Sequence, residues 1–176
     1  MDELLSLLFA AAVELSGLPA MEARPPVQAM PYRDLLQEIC SDLKTDARQL
    51  LAAFDDCTTQ HAMWPAVCEE PDLDSSRYER CTGQQGLVAA YIVEQGRIVY
   101  RDDLSLDNDI DNSFLVHEFV HALQDGASSG HPFDTCADVM AAERQAYAVQ
   151  QAYLRSRGQM LRVGDRLRWV GCEGVR

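Results

Sequence analysis

The sequence predicts an α+β fold, mostly helical, with a small antiparallel β-hairpin beside one central helix. Three observations carry that expectation. Apolar residues recur at helical spacing in four stretches, near 2–16, 32–53, 112–126 and 135–157. Two runs rich in β-branched and aromatic residues, "GLVAAYIV" (86–93) and "RIVYRDD" (97–103), flank the turn residues Glu94-Gln95-Gly96. The chain has 176 residues, 47% hydrophobic and 24% charged, which suits a single domain with its own core.

Each element follows from local chemistry. In the first stretch Leu4, Leu5, Leu8, Ala11, Ala12 and Leu15 form an apolar face, and Gly17 and Pro19 end the helix. The prolines of "EARPPVQAMPYRDLL" impose an extended connector, with a short edge strand over Val27–Met30. A second helix from Tyr32 to Ala53 aligns Leu35, Leu36, Ile39, Leu43 and Leu50. Residues 55–85 contain Cys57, Cys68 and Cys81 and show little periodicity, so order there should depend on cross-links. After the hairpin, the acidic loop "LSLDNDIDN" leads into the central helix, capped by Asn112 or Ser113 and closed by Gly126. The last helix runs from Thr135 to Arg157, with Asp134 as its cap and Gly158 as its stop. The tail over 158–176 adds a short strand or coil anchored by Cys172. One domain over 1–176 is therefore expected, divided into N-terminal helices (1–54), a cysteine-rich segment (55–85), a hairpin with two helices (86–157) and the tail.

Charge and cysteine usage exclude several classes. With 28 acidic and 15 basic residues the net charge is −13, which argues against a basic face for nucleic acid and disfavours anionic lipid. No apolar run is long enough to span a bilayer. Trp64 and Trp169 fall in irregular segments and read as satellite core, and Arg162, Arg166 and Arg168 are expected to offset nearby acid. Cys40, Cys57, Cys68, Cys81, Cys136 and Cys172 are even in number and form no CxxC pair. They read as disulfides in an oxidising compartment, with a pairing the sequence does not choose. A periplasmic or secreted location is expected, its export signal already removed, because Asp2 and Glu3 replace the positive start such a signal needs. The alternative is a cytoplasmic protein with buried thiols.

The chemistry concentrates in "NSFLVHEFVHALQDG" (112–126). On a helix, residues four apart share a face, so His117 and His121 project side by side and their ring nitrogens can meet at one zinc ion. Glu118 lies to the side of that face, poorly placed as a ligand but well placed to take a proton from activated water. The bland reading is three polar residues on a solvated helix face. Phe114, Leu115, Val116, Phe119, Val120 and Leu123 argue against it, since they bury the helix, and buried imidazoles without partners are costly.

A catalytic zinc needs a third protein ligand and an open position. Position 127 is alanine, where a metzincin would need histidine. Glu143 in "DVMAAERQAYAVQ" is the leading ligand, because Ala141, Ala142 and Ala146 let two helices approach closely. His131 and Asp138 are weaker alternatives. "DNDIDN" spaces Asp107, Asp109 and Asp111 like a calcium loop, but it lacks the glycine and final glutamate of an EF-hand. A solvated acidic lead-in to a helix is the simpler reading.

"LVHEFVHALQ" followed by "AERQAYAVQQAYL" resembles the gluzincin (thermolysin-like) class of zinc metallopeptidases, and more closely a group of small bacterial metallopeptidases defined by two helices and a preceding hairpin. The resemblance covers about residues 86–157. It implies a zincin-like minimal domain that hydrolyses peptide or protein substrates. His117, His121 and Glu143 would ligate one Zn2+ ion, and Glu118 would be the general base. The hairpin would resemble the edge strand on which such enzymes lay an extended peptide.

Two features depart from that pattern. Many gluzincins carry an aspartate four residues after the third ligand, accepting a hydrogen bond from a ligand histidine, where Tyr147 stands here. Gln150 or a backbone carbonyl is then expected to orient a ligand imidazole. No residue is marked to stabilise the tetrahedral intermediate; Tyr147, His131 and Tyr153 are the candidates, with core packing the competing role for both tyrosines. Two rival functions remain open: a non-catalytic zinc-containing binding or assembly module, and a disulfide-stapled secreted interaction protein whose motif is accidental.

Overall fold

The computed structural model describes residues 1–39, 87–128 and 132–168. The chain divides into two compact units, Met1–Pro31 with Val88–Arg176, and Tyr32–Leu87. In the first unit come helix α1 (Asp2–Ser16) and strand β1 (Val27–Met30). In the second unit the described element is helix α2 (Tyr32–Ile39), in which Leu35 is buried. The first unit resumes with β2 (Ala89–Ile92), β3 (Arg97–Arg101), α3 (Asp109–Ala127) and α4 (Cys136–Ser156). Expectations for 40–86, including the rest of the second helix and the cysteine-rich segment, lie outside the described residues, as do Trp64, His131, Trp169 and Cys172.

The fold is α+β, with helices dominating a three-stranded sheet of order β1-β3-β2. β2 and β3 form the antiparallel hairpin, joined by a 3-10 turn over Val93–Gln95 and Gly96. β1 pairs with β3 in parallel, so the sheet is mixed, not purely antiparallel. Alternation along a strand sets which face is buried but is blind to strand direction. A parallel pair needs a long crossover, and the chain between β1 and β3 is long enough to provide one.

α3 is the hub of the first unit. It packs against α1, α4, β2 and β3. Leu115, Val116, Phe119, Val120, Ala122 and Leu123 are completely buried, as expected of a helix apolar around most of its circumference. Phe119 meets Phe9 of α1 edge to face, with ring centroids 5.4 Å apart.

Three helix ends differ from expectation. Asn108 caps α3, its side chain accepting from Ile110 N at 2.8 Å. The helix therefore starts a turn earlier than predicted, and Asn112 and Ser113 are buried inside it. Asp109 and Asp111 occupy its first turn, where carboxylates favour the positive end of the dipole. Gly126 does not terminate α3; it is helical, and a Cβ there would come within 3.2 Å of the Met21 side chain. α4 is capped by Thr135 rather than Asp134. Thr135 Oγ1 accepts from Asp138 N (3.1 Å) and Asp138 Oδ2 accepts from Thr135 N (3.2 Å). This capping box satisfies two amides reciprocally, which a lone Asp134 cap would not. It also commits Asp138 to the helix start and removes it as a metal ligand.

The tail folds back along α4 into a 3-10 turn over Asp165–Arg168. Gln151 Nε2 donates to Leu161 O (2.6 Å), and Val163 N donates to Gln151 Oε1 (3.2 Å). Gly164 has φ 75°, and a Cβ there would lie 2.7 Å from Tyr147 Cγ. Only glycine lets the tail approach that ring in this conformation. No described helix is long and apolar enough to cross a membrane.

Because Phe119 joins α1 to the hub, Phe119→Ala should lower unfolding free energy by about 3–5 kcal/mol in a denaturant titration.

Candidate metal centre

His117 and His121 sit one turn apart on α3, and the helix brings their imidazoles together as the spacing predicts. Their Nε2 atoms are 3.1 Å apart. Glu143, on α4, straddles the pair: Oε2 lies 3.4 Å from His117 Nε2 and Oε1 lies 3.4 Å from His121 Nε2. Donors about 2.0–2.1 Å from a tetrahedral ion are themselves separated by about 3.3 Å, so these spacings fit one small ion. Donor atoms of all three residues lie within 4.8 Å of one another, and the group could hold a metal. The imidazoles are 8% and 10% exposed while Glu143 is 31% exposed, so the cluster opens to solvent on the carboxylate side.

The surrounding hydrogen bonds fix the imidazole tautomers. Ser113 Oγ donates to Ile110 O (2.6 Å), so its oxygen accepts from Gln150 Nε2 (3.0 Å). That turns Gln150 Oε1 toward His117 Nδ1 at 3.2 Å. An amide oxygen only accepts, so His117 carries its proton on Nδ1. Gln124 works the same way for the second ring. Its Nε2 donates to Ala142 O (3.0 Å) and Gln145 Oε1 (2.9 Å), leaving Oε1 to accept from His121 Nδ1 at 2.9 Å. With Nδ1 engaged on each ring, both Nε2 atoms turn into the same small space beside Glu143, where a proton or a metal ion could be shared between them.

Electrostatics agree. Burial opposes ionisation of Glu143, but its bonds to His117 and His121 and their positive potential outweigh it and hold the carboxyl at about 2. Burial likewise disfavours a charged His121. The bond to Glu143, the charges of Glu118 and Glu143 and the bond to Gln124 together prevail, and its pKa is raised above 6.5.

Glu118 stands outside the three-residue cluster but close enough for its charge to act on His121. Its Oε2 accepts from Tyr91 N of β2 at 2.8 Å. Tyr91 then reaches along α3, and its hydroxyl donates to Asp125 Oδ2 at 2.8 Å. Burial and that bond raise the phenol's pKa. The amide is available because of register. Arg101 N donates to Val88 O, so alternate β2 residues bond β3 and the backbone groups of Ala89 and Tyr91 point outward.

The remaining predicted residues fall as follows. Gln150 orients His117. Tyr147 stacks edge to face on the same imidazole, with centroids 4.4 Å apart. Tyr153 is buried in the core, and its hydroxyl donates to Asp109 at 3.4 Å, more than two turns before His117, so it does not serve the cluster. Asp111 accepts from Ser105 N at 2.9 Å as part of the helix start. Cys136 is disulfide-bonded, and no described cysteine is free; the other five cysteines lie outside the described residues. The sequence reading missed Gln124, Ser113, Tyr91, Asp125 and Phe133, whose ring is 5.8 Å from that of His121. Gln124, three residues after His121, had a usable signal in its helical spacing. Tyr91 and Phe133 had none, because only tertiary packing brings them here.

Comparison of the chain with protein-family models, with curated proteins and with solved structures finds no match.

Two expectations follow. Gln124→Leu or Gln150→Leu should weaken zinc binding about 10–100-fold in a chelator-competition titration, because each releases one ring from its tautomer. A raised His121 pKa means that a proton competes with the metal at Nε2. Zinc affinity should therefore fall as pH drops through that pKa, approaching about ten-fold per pH unit for each displaced proton, with calorimetry showing proton release at pH 6.

Proposed function

We propose that this chain is a zinc-dependent peptidase. The observation that carries the reading is the pair of tautomer-locked imidazoles facing Glu143, with a further carboxylate, Glu118, on the adjoining helix position. Two nitrogens and a carboxylate suit zinc, and three protein ligands leave a position open. Zinc, when bound, supplies Lewis acidity that polarises a carbonyl and makes water a nucleophile near neutral pH.

The chain's own residues account for the proton. One oxygen of Glu118 is held by Tyr91 N, which fixes the carboxylate plane and leaves the other oxygen to act. That oxygen takes a proton from the attacking water as the O–C bond forms. It then returns the proton to the leaving nitrogen as the C–N bond breaks, giving a carboxylate and an amine. Tyr147, against His117, is the nearest candidate for a hydroxyl that steadies the developing oxyanion. The disulfide at Cys136 supports an oxidising location, periplasmic or extracellular.

Glu118→Gln keeps the hydrogen bond from Tyr91 N and removes the base. With zinc-loaded protein and a mixture of quenched fluorescent peptides, it should lower hydrolysis about 100- to 10,000-fold at unchanged zinc stoichiometry. Hydrolysis that survives the substitution would refute the role given to Glu118. A zinc-loaded wild type that cleaves no peptide would favour a non-catalytic module.

A further inference from the structure

A concave feature lies beside the metal centre, on the far side of Tyr147. It is an open groove of about 550 Å3 between α4 and the folded-back tail, lined by Arg144, Tyr147, Gln151, Arg155, Arg162 and Asp165 among others. Its two walls are held in register by the two hydrogen bonds of Gln151 and by the seating of Gly164 on Tyr147. Tyr147 also touches His117, so one aromatic ring separates the groove from a metal-binding imidazole.

The charge of this groove is opposite to that of the chain. The protein carries −13 overall, yet three arginines line this one feature. The expectation that Arg162 offsets nearby acid does not hold: among the described residues, none of Arg144, Arg155 and Arg162 has a salt-bridge partner. Asp165, the acid on the groove wall, is engaged with a partner of its own. All three guanidinium-bearing residues are exposed. In an acidic protein, surface arginines find carboxylates readily, so three without one beside a single groove mark a place for an external anion. A guanidinium presents a planar fork of donors that matches a carboxylate in two parallel hydrogen bonds.

We propose that this groove is the acidic-residue subsite of the peptidase, binding a carboxylate of the peptide near the bond to be cleaved. The inference rests on the peptidase reading for its orientation: Tyr147, which lines the groove and packs on His117, puts the groove next to the site where that bond would lie. The carboxylate comes from an acidic side chain or from the peptide's C-terminus, and the chemistry of recognition is the same for both.

The test uses zinc-loaded Glu118→Gln protein and two fluorescein-labelled peptides that differ only in Glu against Gln, each with a free and an amidated C-terminus. Anisotropy should show a carboxylate-bearing peptide binding about ten-fold tighter than its neutral counterpart. That preference should shrink as salt rises, because exposed charges are screened. The added substitutions Arg155→Gln and Arg162→Gln should erase it without changing zinc content or melting temperature. Preference that follows the Glu side chain identifies that source; preference lost on amidation identifies the C-terminus. Equal binding of all four peptides, no binding of any, or a preference that survives loss of both arginines overturns the proposal. The peptidase reading fails separately, if wild-type protein binds the acidic peptide with this preference but cleaves neither.

Discussion

Two imidazole Nε2 atoms held 3.1 Å apart are the constraint around which the first unit is organised. With both rings neutral, such an arrangement needs a cation between the two nitrogens. It persists because each ring's other nitrogen is held by a glutamine whose own direction is forced by an acceptor that cannot reverse, Ile110 O acting through Ser113 in one case and Ala142 O in the other. The polarity of a buried network thus propagates from backbone carbonyls to the metal-facing nitrogens. Glu143 completes the balance by placing negative charge opposite both rings.

That network needs α3 and α4 to lie close together, and small residues permit it. Ala142 and Ala146 are buried on α4, and Ala122 is buried on α3. The same proximity lets Gln124 reach the backbone of α4 and lets Gln150 reach Ser113 on α3. Packing and polar satisfaction therefore reinforce each other, and a bulkier residue at these alanines would separate the glutamines from the imidazoles they orient.

The hairpin contributes the other half of the site. β2 is an outer strand, and outer strands expose unpaired amides that invite uncontrolled pairing. Here one such amide, Tyr91 N, is taken by Glu118, and the Tyr91 ring extends along α3 to Asp125. A single tyrosine thereby ties the sheet edge to the helix at two points and sets the carboxylate beside the cluster. Across the cluster, Tyr147 plays a comparable joining role, with His117 on one side and the tail at Gly164 on the other.

Local pattern determined much of this protein. Helical spacing located α1, α3 and α4, the alternating runs located the hairpin, and the i, i+4 histidines with Glu143 on the next helix marked the three residues that come together in a group able to hold a metal ion. These are properties of one element's face, and periodicity reports which residues share a face. Local competition was harder to read: among neighbouring cap-formers, Asn108 won with a side-chain bond from Ile110 N and Thr135 with a reciprocal pair of bonds to Asp138. The tertiary structure alone decided the parallel pairing of β1, the meeting of Tyr91 with Glu118 and the polarity imposed by Gln124 and Gln150. Each depends on the register in which two distant faces meet, and that register is settled by the packing of the whole unit.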